Sequence, residues 1–218
     1  MGMIAIGDIH GCAKTLDGLL RELELMAEDH LIFVGDYIDR GPDSKGVIDR
    51  MLVLKEKYRC TFLRGNHEEL LLGYLDDGEY DIFAMNGGIA TLSSYMTQQG
   101  EMEIPDSHIE FVRDTELYLE TKEFVFVHAG LRPDLTVAQN LEGGNSEVFL
   151  WERSHLKAGY LPWEKTVVCG HTPQPKPLNR PELINIDTGC VYYAYTSMGT
   201  LTAVRLPERE FVAVPYMG

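Results

Sequence analysis

Short runs of consecutive apolar residues alternate along the chain with stretches whose apolar positions recur every three or four residues. Residues 4–7, 31–34 and 61–63 are of the first kind, which predicts strands buried on both faces. Leu16, Leu19, Leu20 and Leu23 predict an amphipathic helix over 13–26. Val47, Ile48, Met51 and Leu52 predict a second helix that Asp43 can cap. A shorter helix is expected over 68–76. Apolar strands separated by amphipathic helices predict a largely parallel, buried sheet.

Residues 77–118 are more polar, with weak helical patterns near 89–98 and 107–115, and read as a helical insertion near the site. Strands resume at 124–127, 166–169, 183–186, 201–205 and 211–214. Short turns join the last three, which predicts an antiparallel arrangement. The Pro-rich stretch 173–181 reads as a loop. No repeat or low-complexity segment interrupts the 218 residues, and residues 1–218 are expected to form one domain.

Composition narrows the function. Nineteen Lys and Arg against 34 Asp and Glu give a net charge of -15. This argues against a general nucleic-acid or anionic-membrane binder, which must neutralise phosphates. A small phosphate ligand is still allowed, because a few arginines and bound cations reverse the field locally. Cys12, Cys60, Cys169 and Cys190 form no C-x-x-C pair, which excludes a thioredoxin-type motif or a zinc knuckle. No apolar run approaches the ~18 residues of a membrane helix, and no signal peptide is visible. The expectation is a reduced, cytoplasmic protein with free thiols.

The chemistry is concentrated where strands stop. Gly7-Asp8-Ile9-His10-Gly11, Gly35-Asp36-Tyr37-Ile38-Asp39-Arg40-Gly41, Arg64-Gly65-Asn66-His67-Glu68, His128-Ala129-Gly130 and Gly170-His171-Thr172 each follow an apolar run. Ligands of open α/β sheets bind outside the carboxyl ends of strands, so these five ends are expected to share one crevice. Asp8, His10 and Asp36 offer one oxygen/nitrogen ligand set, and Asn66, His128 and His171 another. Asp36 is the natural bridge between two cations ~3.5–4 Å apart. Imidazole and carboxylate ligands without thiolate suit Mn, with Fe or Zn as alternatives, rather than Ca.

These five motifs, in this order from Asp8 to about Asp187, resemble the phosphoprotein phosphatases, the bacterial branch of the calcineurin-like metallophosphoesterases. The resemblance implies an α/β fold, a central β-sandwich flanked by helices, with a dimetal centre held by Asp8, His10, Asp36, Asn66, His128 and His171. It also implies in-line attack on phosphorus by a hydroxide activated between two metals, with no phosphoenzyme intermediate. His67 with Asp39 matches the family's general-acid pair, and Arg40 matches a phosphate-clamping position. Arg153, behind Leu150-Trp151-Glu152, matches a further phosphate contact more loosely. Arg64 is as readily an ion-pair partner as a substrate contact.

On this reading the expected activity is phosphomonoester hydrolysis, with phosphoserine or phosphothreonine in proteins as substrate. The alternatives are hydrolysis of diadenosine tetraphosphate or another nucleotide pyrophosphate, and a non-catalytic metal-bound adaptor. Three features favour the phosphatase. Pro173 stands where phosphodiesterases of the superfamily carry a further histidine ligand. Diadenosine tetraphosphate hydrolases of the related bacterial group typically carry Ala at the position of Asp39 and are usually longer. A serine alkoxide also needs an acid more than a nucleotide leaving group does. Cys12 reads as a small buried thiol, Asp187 as part of a turn beneath the site, and Tyr192, Tyr193 and Tyr195 as a groove edge or sheet packing.

Overall fold

The computed structural model describes residues 2–195 and 197–218. Among these residues ten strands form two five-stranded mixed sheets packed face to face. The first has the order β10-β9-β1-β2-β3, built from β1 (Met3–Ile6), β2 (His30–Phe33), β3 (Arg59–Phe62), β9 (Thr200–Leu206) and β10 (Glu210–Pro215). The second has the order β4-β5-β6-β8-β7, from β4 (Tyr118–Glu120), β5 (Phe124–Val127), β6 (Thr166–Cys169), β7 (Leu178–Asn179) and β8 (Leu183–Asn185). Strands β1, β2 and β3 run parallel, as do β5, β6 and β8. Strand β9 runs antiparallel to β1 and β10, β4 to β5 and β7 to β8.

The two-residue period of a strand explains why the apolar runs are unbroken. Ala5, Ile32, Phe124, Phe126, Val168, Ile184 and Val204 fill the space between the sheets. Their neighbours Ile4, Ile6, Leu31 and Phe33 face outward. There they meet Leu16 and Leu19 of α1 (Ala13–Glu22) and Val47, Ile48 and Met51 of α2 (Ser44–Lys57). On the far side, Val125, Val127 and Val167 pack under α7 (Val137–Gly143) and α8 (Ser146–Trp151). The sandwich expected from the motifs is therefore the observed fold.

Several boundaries move for identifiable reasons. Helix α1 stops at Glu22, because Glu24 enters the left-handed region (φ 43°). The Asp43 carboxylate accepts from the Gly46 amide and caps α2 as expected. Helix α3 (Asn66–Asp77) starts two residues earlier than the apolar pattern indicates, so Asn66 and His67 lie in its first turn. The stretch 77–118 carries α4 (Tyr80–Phe83), a π-helical turn (Ala84–Gly88), α5 (Ile89–Ser94) and α6 (Asp106–Arg113). The hairpin β9–β10 is antiparallel as expected. By contrast β8 lies in the other sheet, parallel to β6, because residues 186–199 carry the chain across the sandwich. The loop 173–181 contributes the two-residue strand β7.

Candidate metal centre

The five strand-end loops meet at one edge of the sandwich, and their backbone is forced into unusual shapes. His10, Asp36, Asp39, Arg40 and His171 all have positive φ, between 45° and 71°. Such conformations cost non-glycine residues roughly 1–3 kcal/mol each and persist only where the surroundings over-determine them. Glu68 is one such determinant. Its carboxylate accepts from the amides of Asp36 (2.8 Å), Tyr37 (2.9 Å) and Gly65 (2.8 Å), tying the Asp36 loop to the start of α3. Gly35 (φ 105°) permits the approach, since a Cβ there would lie 2.6 Å from the Gly65 nitrogen and 2.8 Å from His128 Nδ1.

Two clusters of ligand atoms result, and Asp36 belongs to both: His10, Asp36 and His67 in one, and Asp36, His128 and His171 in the other. Asp36 Oδ2 lies 3.5 Å from His10 Nε2 and 3.9 Å from His67 Nε2, and Oδ1 lies 3.4 Å from His128 Nε2. Asn66 Oδ1 joins the second cluster, 3.0 Å from His128 Nε2 and 2.8 Å from His171 Nδ1. Asp8 is held differently. Its Oδ2 accepts from the His171 amide at 2.9 Å, while Oδ1 is buried without a partner. In the first cluster His67 thus stands beside His10 and Asp36, where Asp8 was expected.

The donor set fits divalent cations. His10 Nδ1 donates to the Ile38 carbonyl and His128 Nδ1 to the Val34 carbonyl, each at 2.8 Å. Those bonds fix the tautomer and leave both Nε2 lone pairs facing the Asp36 carboxylate. Burial lowers the pKa of both rings, so neither is protonated near neutral pH. Lone pairs aimed at a buried carboxylate repel it unless a cation sits between them. In the structure the Arg40 guanidinium partly fills that role, with Nη1 2.6 Å from His10 Nε2. Burial and the charges of Asp187 and Asp36 push Asp8 up.

His67 Nδ1 lies 2.6 Å from Asp39 Oδ2, and its Nε2 faces the centre without a partner. Burial opposes protonation of this ring, but the charges and contacts of Asp36 and Asp39 outweigh it and raise the pKa. Arg40, Arg153, Asp36, Asn66, His67 and His171 line a cavity of about 260 Å³. Arg153 Nε donates to His171 Nε2 at 2.9 Å, so the looser of the two arginine matches also reaches the centre. Arg64 does not line it. Its guanidinium is spent on Glu69, Thr115 and the Arg113 carbonyl.

Other residues of the site carry no motif. Thr91 of α5 holds Asp39, Trp151 packs against the His171 ring at 5.8 Å, and Asn86 and Tyr192 complete the cavity wall. Asn185 Nδ2 donates to the Gly170 carbonyl at 2.9 Å and props the His171 loop. Glu68 carries a helix-start signature, three residues behind Gly65, but nothing in the sequence says which loop it ties down. Cys12 is a buried thiol, and Asp187 accepts from the Gly189 amide in a buried turn. Tyr193 packs on Tyr216 rather than facing the site.

Fold and ligand clusters together define a binuclear metallophosphoesterase, and residues 1–202 match the model of the calcineurin-like phosphoesterases. The chain belongs to that family and is an enzyme with a two-cation site. Its relatives include the asymmetrical bis(5'-nucleosyl)-tetraphosphatase PrpE of Oceanobacillus iheyensis, 30% identical over 96% of this chain and 90% of that protein. A symmetrical bis(5'-nucleosyl)-tetraphosphatase of Janthinobacterium is 26% identical over 98% of this chain and 96% of its own length. The crystal structure of a "putative diadenosine tetraphosphatase" superposes with a TM-score of 0.71 at 26% identity, covering 100% of this chain and 94% of that one.

These likenesses correct the resemblance to serine/threonine phosphatases of the phosphoprotein phosphatase family. The strand-end motifs build a dimetal centre and do not name the leaving group, so they fit both branches. Greater length does not separate the branches either, since alignments of 232 and 281 positions with the two tetraphosphatases still cover 96% and 98% of this chain. Among the described residues no helix is long and apolar enough to cross a membrane.

Proposed function

We propose that this chain hydrolyses nucleoside polyphosphates of the bis(5'-nucleosyl) tetraphosphate class. The observation that carries this reading is the end-to-end similarity to tetraphosphatases, at 30% identity over 96% of the chain. The cavity agrees with it. Arg40 lies against His10 of one ligand cluster and Arg153 against His171 of the other, both lining the cavity, and a guanidinium fork suits phosphoryl oxygens better than an ammonium does.

Asp8, His10, Asp36, Asn66, His128 and His171 would hold two divalent cations, manganese by ligand type. Such cations supply positive charge to the phosphoryl oxygens and lower the pKa of a nucleophilic water. The protein groups do the rest. Arg40 and Arg153 orient the phosphate chain and absorb charge that builds up on its oxygens. His67, oriented by Asp39 through Nδ1, presents Nε2 to the centre and can protonate the departing oxygen.

The test is a side-by-side comparison of kcat/KM on diadenosine tetraphosphate and on phosphoserine and phosphothreonine peptides, with manganese at equal ionic strength. The dinucleotide should be cleaved the more efficiently. Faster turnover of the peptides would overturn the substrate assignment and leave the dimetal centre standing.

A further inference from the structure

Beyond the two arginines the cavity changes character. Pro173 and Tyr192, which close its edge, also line a second depression of about 320 Å³. The rest of that depression is Tyr195, Ser197 and Met198, with no charged side chain among its described lining residues. Tyr195 is 65% exposed, and its ring meets Tyr192 nearly edge-on, with centroids 6.1 Å apart at 70°. The Arg40 guanidinium carbon lies 5.7 Å from the Tyr192 ring centre. A single tyrosine therefore separates the cationic floor from the uncharged shelf.

The shelf is tied down at both ends. Tyr192 donates its amide to Gly189, Tyr195 to Tyr192, Met198 to Tyr195 and Gly199 to Gly189, all within 3.1 Å. Tyr193, which points the other way, stacks on Tyr216 with centroids 3.9 Å apart. An exposed tyrosine on an anchored turn offers a flat surface at small entropic cost, since few torsions remain to be fixed.

An anionic pocket-filler with a flat, uncharged end matches this sequence of environments. Phosphates belong beside Arg40 and Arg153. A heteroaromatic ring belongs against tyrosine faces and a polarisable thioether, and the Ser197 hydroxyl lies among the groups available to its polar edge. A further phosphate would find no cation on the shelf.

We propose that the depression formed by Pro173, Tyr192, Tyr195, Ser197 and Met198 is a nucleobase subsite, with Tyr195 as its stacking platform and Tyr192 as the partition from the phosphates. The inference rests on the nucleotide reading of the substrate and adds the residues that recognise the nucleoside.

The experiment measures dissociation constants for AMP and for inorganic phosphate by calorimetry on the manganese-loaded protein, for wild type, Tyr195→Ala and Tyr195→Phe. Stacking on one aromatic ring is worth about tenfold in affinity. Wild type and Tyr195→Phe should favour AMP over phosphate by about tenfold, and Tyr195→Ala should bring the two constants within about twofold. No AMP preference in wild type, or an undiminished one in Tyr195→Ala, would overturn the subsite. Hydrolysis of diadenosine tetraphosphate by the wild type is assayed in parallel. Cleavage without a Tyr195-dependent AMP preference removes the subsite and keeps the proposed activity. A Tyr195-dependent preference without cleavage keeps the subsite and assigns the enzyme a different nucleotide.

Discussion

Thr91 Oγ1 lies 2.6 Å from Asp39 Oδ1 and 2.9 Å from the Asp39 amide nitrogen, so one hydroxyl grips both the side chain and the backbone of that residue. The hydroxyl donates to the carboxylate and accepts from the amide, and Ser44 Oγ lies 2.9 Å away. Asp39 is itself in the left-handed region (φ 71°) and holds His67. A residue of the 77–118 stretch thereby sets the direction of the His67 ring.

Thr91→Val keeps the shape and removes the hydroxyl. It leaves the buried Asp39 oxygen without its donor, a loss of about 1–3 kcal/mol in local stabilisation. On an alkyl phosphate, whose leaving group needs the acid, the expected result is a roughly 5- to 50-fold fall in kcat with bound metal unchanged, and near-normal activity for Thr91→Ser. A kcat equal to wild type in Thr91→Val would show that Asp39 needs no such support.

Removing His67 tests its role as a proton donor. His67→Asn should lower kcat by roughly 10²–10⁴-fold on an alkyl phosphate, the span ascribed to general acid catalysis. The loss should be much smaller on p-nitrophenyl phosphate or a tetraphosphate, whose leaving groups depart without a proton. Metal analysis separates this from ligation. If His67→Asn binds one cation fewer than wild type, the imidazole is a ligand beside His10 and Asp36.

Asp36 lies in both ligand clusters, so Asp36→Asn should lose both metals and activity together. Dialysis against a strong chelator should abolish turnover, and manganese should restore it. Metal content by elemental analysis and rate by any phosphoester assay suffice, and full activity after chelation would refute the dimetal centre.

The parts of the site that were legible in the sequence are those whose chemistry and chain position coincide. A strand that ends in Gly-Asp or Gly-His announces both a sharp turn and a polar side chain at the sheet's end, so the meeting of His10, Asp36, His128 and His171 could be expected, whereas His67 rather than Asp8 stands in the first cluster. Thr91, Glu68 and Asn185 could not. Each acts through hydrogen bonds to backbone or side chains far along the chain, as in the 32-residue span from Glu68 to the Asp36 amide, and threonine or asparagine alone signals nothing. The sheet assignment of β8 was hidden for a similar reason. A strand's apolar pattern shows that it is buried, not which sheet buries it. Substrate class was hidden because the dimetal motifs describe the reacting phosphorus rather than the group that leaves.

The pH dependence of stability should carry the mark of one buried histidine. His155, in the 3₁₀ turn Ser154–Lys157, is fully buried beside Trp163, and its Nδ1 has no partner. Burial lowers its pKa from 6.5 to about 4, with the Glu152 charge opposing and that of Arg180 assisting. Above pH 6.5 the ring is neutral in both folded and unfolded chains and makes stability no steeper with pH. As the pH falls below 6.5, the unfolded chain takes up a proton that the folded one refuses, so stability drops until about pH 4 and then levels off. The interval between those two values corresponds to roughly 3 kcal/mol at full effect. Urea unfolding of wild type and His155→Leu between pH 7.5 and 4 isolates the contribution, because the other titrating groups are common to both. The wild type should lose up to about 3 kcal/mol more than the variant across that range. Parallel curves would mean that the folded protein admits a proton at His155 as readily as the unfolded chain does.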